Sequence, residues 1–107
     1  MKTKITSNTY TFHADPSHGW LRVPFAMVYL LGIGDSISKY SYMSDNGKTF
    51  YLEEDCDAGR FFLAYRELFK NDPIMKLKTC NGRSTIRNKG TANWPLAIER
   101  FMERGNV

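Results

Sequence analysis

The sequence predicts an α+β fold in which two antiparallel β-hairpins form one sheet and helices pack on one of its faces. Residues 9–23 and 37–52 each show strand-like stretches around turn-forming residues, and residues 56–70 show apolar residues at helical spacing. The chain has 107 residues, the size of one ordinary domain. We therefore expect one domain with the order ββαββα, followed by an edge strand and a C-terminal helix.

The first hairpin is predicted from an alternating stretch that ends in turn chemistry. Residues 9–13 place aromatic and polar side chains on opposite faces, and residues 15–19 (DPSHG) combine a proline with a glycine, as turns do. Residues 20–23 then return as the second strand. A helix over residues 24–32 follows, and residues 1–8 are expected to fray.

The second hairpin is predicted from the Asn46-Gly47 pair. Asn-Gly between two β-rich runs favours a two-residue type I′ turn, which needs positive φ at both central positions. Such a turn in residues 37–52 pairs Met43 with Phe50. The side of the hairpin that carries these two residues is expected to face the helices.

Two further helices are expected, over residues 56–70 and 94–104, because apolar residues recur in both with the period of a helix. The first follows an acidic run at residues 53–57 (EEDCD). Either Asp55 or Asp57 is expected to cap this helix, since acids at a helix start meet the positive end of its dipole. A metal or acid/base cluster, or a patch that imitates nucleic-acid phosphate, is the alternative interpretation of the run.

The net charge of +4 is unevenly distributed. Residues 70–89 hold six cations and a single acid, Asp72, which gives a local charge of +5 and leaves the rest of the chain at −1. Residues 71–92 are predicted to form a basic loop with an edge strand at 74–80. Such a segment suits phosphate contact or an acidic protein surface, although a solvated loop would show the same composition.

The predicted register places a ladder of tyrosines on the outer face of the sheet, beside the basic segment. These rings could stack nucleic-acid bases, anchor a protein interface, or pair with each other under a covering loop. The predicted binding residues are Tyr40, Tyr42, Tyr51, Lys76, Lys78, Arg83, Arg87 and Lys89.

Both histidines of the chain lie near the first turn, where His13 and His18 flank Asp15. Two imidazoles and a carboxylate could hold a divalent metal, with Glu53 or Glu54 completing a hydrolytic site. The spacing matches no known metal signature, so we interpret these residues first as a turn and its strand ends.

Several classes of protein do not fit the sequence. No apolar run has the roughly 18–20 residues that a membrane span needs, and the N-terminus has no signal-peptide pattern. Cys56 and Cys80 show no CxxC spacing, which favours reduced thiols in the cytoplasm. There is no nucleophile elbow and no phosphate loop. We predict no catalytic residue, no cofactor and no membrane partner.

Three stretches together resemble a group of small accessory proteins encoded by phages and plasmids. They are "YTFHADPSHGWLRVP", "ISKYSY" and "YLEEDCDAGRFFLAY", within residues 9–66. The resemblance implies a mobile-element protein, and it transfers no site residues. Such proteins often bind host machinery, including defence systems.

These observations lead us to expect a non-enzymatic protein that binds and modulates or inhibits a host protein, for example a nuclease or a defence complex, in the host cytoplasm. Direct nucleic-acid binding through the same basic, tyrosine-rich surface is the first alternative. A metal-dependent hydrolase with the His13, Asp15 and His18 site is the second. A homodimer is compatible with each of them.

Overall fold

A six-stranded mixed sheet organises residues 8–105, the part of the chain that the computed structural model describes. Most of the segment expected to fray, residues 1–7, lies outside this range. The strands are β1 (Thr9–Ala14), β2 (Gly19–Pro24), β3 (Tyr42–Met43), β4 (Thr49–Glu53), β5 (Ile74–Thr79) and β6 (Gly90–Thr91). The helices are α1 (Phe25–Leu31), α2 (Asp57–Phe69) and α3 (Trp94–Gly105). The fold is therefore α+β, as the sequence predicts.

The strand order is β5-β1-β2-β4-β3-β6, so β5 and β6 form the two edges. The hairpins β1–β2 and β3–β4 pair with each other through antiparallel contact of β2 with β4. The predicted edge strand is β5, and it makes the sheet mixed because it pairs parallel to β1. Helix α2 connects β4 to β5 by crossing over β2 and β1. A crossover connection of this kind leaves β5 running in the same direction as β4 and β1.

The register of the second hairpin is the one that Asn46-Gly47 predicts, with Met43 opposite Phe50. The turn itself differs from a type I′ turn. Gly47 has a positive φ of 74°, but Asn46 does not lie in the left-handed region. The Gly47 N–H donates to the Ser44 carbonyl at 2.9 Å, which makes a wider four-residue turn that preserves the same pairing.

All three helices pack on one face of the sheet. Phe25 and Val28 of α1, Phe61 of α2 and Ala97 of α3 belong to one buried cluster. The inward-pointing strand residues of that cluster are Tyr10, Leu21, Val23, Met43, Phe50 and Leu52. This agrees with the apolar periods in the sequence, because each helix turns its apolar stripe to the sheet. No helix among residues 8–105 is long and apolar enough to cross a membrane.

Residues 37–41 do not extend β3, contrary to the strand predicted from Ile37 onwards. Asp57 is only 1 % exposed, and it accepts hydrogen bonds from the Ser38 backbone N–H and hydroxyl and from the Ser41 hydroxyl. This carboxylate therefore anchors an irregular segment and does not cap α2, whose N-cap residue is Cys56 and has no side-chain cap. The predicted capping by Asp55 or Asp57 is wrong for that reason.

Residues 80–92 cross the outer face of the sheet, opposite the helices. They contain a 3₁₀ turn (Thr85–Asn88) and the short strand β6, which pairs with β3. The side chain of Ile86 is buried against Trp20 and Tyr51 on this face. The segment predicted as a loop is thus a cover for part of the sheet, and we call residues 80–89 the covering segment.

Candidate anion-binding cleft

An open cleft of about 600 Å³ lies between the outer face of the sheet and the covering segment. The sheet contributes His13, Arg22 and Lys78, and the covering segment contributes Arg83 and Lys89. Thr11, Thr79, Ser84 and Thr85 also line it. No carboxylate is among the lining residues that the structure describes. The cleft therefore offers four permanent positive charges and several hydrogen-bond donors to an anion.

Strand geometry explains why these cations meet. Side chains alternate between the two faces of a strand, so His13 and Arg22 point away from the helix-side core. Arg22 lies opposite Tyr51, and His13 lies opposite Lys78 in the parallel β1–β5 pair. Cations on β2 and β5 are brought together across β1.

The electrostatics of the cleft act on His13. Its pKa is lowered by burial and by the nearby charges of Lys78 and Arg22. The imidazole is therefore mainly neutral at pH 7 and accepts a proton more readily once an anion offsets those charges. His13 gives the cleft a hydrogen-bonding group whose charge depends on occupancy.

The covering segment is held to the first hairpin by Asp15. This carboxylate accepts five hydrogen bonds, from the backbone N–H groups of Ser17, His18 and Ser84 and twice from Arg87. The Arg87 Nε–Oδ2 distance is 2.7 Å and the Nη2–Oδ1 distance is 3.0 Å, a bidentate pair. Arg87 and the Ser84 N–H hold the pKa of Asp15 well below its usual range. Asp15 thus stabilises both its own turn and the cover of the sheet.

Arg87 also lies 5.1 Å from the centroid of the Trp20 ring, which is 2 % exposed. The guanidinium is thus engaged by a carboxylate and by an aromatic face at once. Of the predicted cationic contacts, Arg87 is therefore placed in a structural role, and its charge is offset within the protein.

Tyr42 and Tyr51 lie on the outer face as predicted, and the covering segment conceals part of both. Tyr51 is 9 % exposed, with Lys89 at 5.4 Å from its ring centroid, and Tyr42 is half-buried against Trp20. Tyr40 is 58 % exposed and lies in a turn outside β3. Of the three interpretations of the ladder, pairing under a covering loop describes Tyr42 and Tyr51.

The cleft gathers part of the predicted binding set. Lys78, Arg83, Lys89 and Tyr51 line it, whereas Lys76 and Tyr40 do not. Arg22 also lines the cleft, although it is not among the predicted binding residues. The alternation of residues 20–23 contains the signal that could have found it, because Arg22 shares a face with Trp20.

The histidine hypothesis also changes in detail. Both oxygens of Asp15 are occupied by Arg87 and by backbone N–H groups. Among residues 8–105, the three potential metal-ligating residues whose ligand atoms lie within 4.8 Å of one another are His18, Glu53 and Glu54. Glu53 Oε1 accepts the backbone N–H groups of residues 55 and 56, which accounts for the burial of this carboxylate.

The two cysteines are exposed free thiols. Desolvation, a hydrogen bond to Glu53 and the surrounding acids raise the pKa of the Cys56 thiol, in the direction that the acidic run predicts. A raised pKa lowers the thiolate fraction, so Cys56 lacks the environment of a reactive nucleophile.

Comparison of the chain with protein-family models, with curated proteins and with solved structures finds no match. The resemblance to accessory proteins of phages and plasmids stays an expectation from the sequence. The functional argument therefore rests on the geometry of the cleft and of the sheet edges.

Proposed function

We propose that this chain is a non-enzymatic binding protein that holds a single strand of nucleic acid in the basic cleft. The observation that carries the proposal is the gathering of Arg22, Lys78, Arg83 and Lys89 around one concavity whose described lining contains no carboxylate. Phosphate contacts from lysine and arginine supply most of the affinity of sequence-independent nucleic-acid binding. Hydroxyl and backbone donors beside the cations are the other groups that commonly contact phosphate.

The size of the cleft favours one strand over a duplex. About 600 Å³ falls in the range of sites for small molecules, so the cleft can enclose a short stretch of one strand. Tyr51 supplies an aromatic edge at the cleft, but it is too deeply buried to act as an open stacking platform. We therefore expect binding dominated by phosphate, with little preference for base sequence.

The residues of the cleft favour binding over cleavage. Carboxylates are the protein ligands through which nucleases commonly hold Mg²⁺, and the described lining has none. The cleft offers donors and positive charge, which are sufficient to retain a phosphate backbone.

Binding to an acidic surface of a host protein is the second candidate, in line with the resemblance seen in the sequence. Tyr40 favours it, because this ring is 58 % exposed and the Lys39 Nζ lies 5.7 Å from its centroid. Tyrosine is enriched among the residues that dominate protein interfaces. An inhibitor of a nuclease or of a defence complex would use such a surface to bind an acidic patch of its target.

The experiment is a titration of the purified protein into a fluorescently labelled twelve-nucleotide oligothymidine, followed by anisotropy at several salt concentrations. We expect affinity to fall steeply with salt, with a slope of about 0.7 per phosphate contacted. The variants Arg83→Ala and Lys89→Ala should each weaken binding and reduce the slope. Arg100→Ala is the matched control, because it removes an exposed arginine from α3 on the opposite face of the sheet.

Equal losses in all three variants would show that net charge, not the cleft, binds the oligonucleotide. Absence of any binding at low salt would overturn the nucleic-acid proposal. Capture of a host protein by the wild-type chain, but not by Tyr40→Ala, would then support the second candidate. Mass spectrometry of the captured material identifies that partner.

A further inference from the structure

β5 is an edge strand whose two faces carry different kinds of side chain. Among the residues that the structure describes, β5 pairs with β1 along one edge and forms the end of the sheet along the other. All six of its residues are exposed. An edge strand of this length presents unpaired backbone groups that another strand can join.

The backbone bonds identify which groups point outward. The Ile74 N–H donates to the Asn8 carbonyl at 2.8 Å, and the Cys80 N–H donates to the Ala14 carbonyl at 3.0 Å. Residues of a strand alternate in the direction of their N–H and C=O groups, so the even-numbered residues between these two bonds face β1. Met75, Leu77 and Thr79 therefore direct their N–H and C=O groups to the open edge.

The side chains divide by face in the same alternation. Met75 and Leu77 lie opposite Tyr10 and Phe12 of β1, on the helix side, and are 44 % and 70 % exposed. Lys76 and Lys78 lie on the outer face with Thr11 and His13. The edge strand thus has an apolar face with Met75 and Leu77 and a cationic face with Lys76 and Lys78. The outward-pointing backbone groups lie between these two faces.

We propose that this edge receives an extended segment of a partner protein in which apolar and acidic residues alternate. Such a segment would continue the sheet by backbone hydrogen bonds, as in recognition by strand addition. Its apolar side chains would cover Met75 and Leu77, and its carboxylates would lie opposite Lys76 and Lys78. The proposal concerns a surface beyond the nucleic-acid cleft, which it meets at Lys78 and Thr79.

In the two registers that pair the most residues of β5, the charge pattern disfavours a second copy of this chain as the occupant. A second copy would pair with β5 in the antiparallel direction about a two-fold axis. Helix-side residues then lie opposite helix-side residues only if the axis passes through a residue position. In a pair centred on Leu77, Lys76 of each copy lies opposite Lys78 of the other copy. Centred on Lys76, it sets that lysine opposite itself. Like charges directly opposite each other destabilise a strand pair.

The test uses a blocked seven-residue peptide in which valine and glutamate alternate, titrated into isotopically labelled protein. We expect the largest NMR shifts at the amides of residues 74–79, with new protection from hydrogen exchange at Met75, Leu77 and Thr79. A peptide of the same composition, with its valines and glutamates in separate blocks, should bind at least about tenfold more weakly. Arg83→Ala is the control for the cleft and should leave binding of the alternating peptide unchanged.

Two variants test the edge directly. Leu77→Pro removes an N–H that points outward, so the β1–β5 pairing is retained while peptide binding is lost. Lys76→Glu should abolish binding of the acidic peptide. It should also promote dimers, because the introduced carboxylate would lie opposite Lys78 of a second copy in the pair centred on Leu77. Analytical ultracentrifugation measures this change.

Shifts confined to the cleft residues, or equal affinity for the alternating and blocked peptides, would overturn the proposal in favour of simple charge attraction. Dimers of the wild-type chain formed through β5 would overturn it in favour of self-pairing. Neither result bears on the oligonucleotide titration, so the two proposals fail separately.

Discussion

On the helix side of the sheet, thirteen of the described residues form one buried core to which all three helices contribute. On the outer side, Trp20, Tyr51 and Ile86 form a separate buried cluster under the covering segment. Burial of apolar side chains holds the helices to the first face. On the second face, hydrogen bonds to Asp15 and its ion pair with Arg87 hold the covering segment to the first hairpin. The outer cluster is much the smaller of the two, and elements with few buried apolar contacts open locally at the lowest free energy.

The largest effect is expected from a cavity in the helix-side core. Phe50 has no exposed surface and packs against Trp94 of α3, with ring centroids 5.7 Å apart. Phe50→Ala should lower the free energy of unfolding by about 3–5 kcal/mol, measured by urea denaturation. Leu63→Ala is the control, because this side chain is 67 % exposed and should change stability little.

The counterpart on the outer face is Ile86→Ala, which empties the smaller cluster. We expect faster hydrogen exchange confined to the covering segment, with a smaller change in global stability than Phe50→Ala produces. An equal global loss from both variants would mean that the two faces unfold as one unit, and the contrast between them would not hold.

Local patterns in the sequence predict the helix-side face better than the outer face. The helices predicted at residues 24–32, 56–70 and 94–104 are observed at Phe25–Leu31, Asp57–Phe69 and Trp94–Gly105. The Met43–Phe50 register follows from the turn residues alone. Apolar periodicity and turn chemistry are local properties, so a single sequence reveals them.

The parts that sequence reasoning missed depend on contacts between distant segments. Arg87 and Asp15 lie 72 residues apart in the chain, and β5 joins β1 across a comparable separation. Neither the composition of the basic segment nor its charge indicates which cation is engaged internally and which faces solvent. Asp57 belongs to the same group, since only the fold brings Ser38 and Ser41 to its carboxylate.

The next largest effect is expected from weakening the contacts that hold the covering segment to the first hairpin. Asp15→Asn removes the charge that pairs with Arg87 while keeping the shape of the side chain, so protection of the amides of residues 84–89 should fall. Asp72→Asn is the matched control. Its ion pair with Arg66 also measures 2.7 Å, but both side chains are more than 60 % exposed, and such surface pairs contribute little.

Acid should reproduce the Asp15→Asn effect in the wild type. The pKa of Asp15 is lowered in the folded state relative to an ordinary value of about 3.9, so the folded protein holds this proton less tightly than the unfolded chain. Its stabilisation is complete above about pH 4 and is lost as the pH falls below that value. Amide protection measured across this range should drop in the wild type and stay nearly constant in Asp15→Asn.

The smallest effect is expected at His13, where the pKa is lowered by burial and by Lys78 and Arg22. A bound phosphate offsets those two charges and favours the protonated imidazole, so binding should take up a proton. Oligonucleotide affinity should therefore increase about threefold as the pH falls from about 7.5 to 6, near the ordinary histidine pKa. His13→Gln keeps a hydrogen-bonding side chain without this titration and should show a flatter pH profile.

His18→Gln is the control for that experiment, because His18 is exposed at the first turn and does not line the cleft. It should retain the pH dependence of the wild type. A flat profile in His18→Gln and an unchanged one in His13→Gln would place the bound phosphate at the turn. In that case the oligonucleotide would bind beside Asp15 at the first turn. The proposed position of the ligand in the cleft would then be wrong.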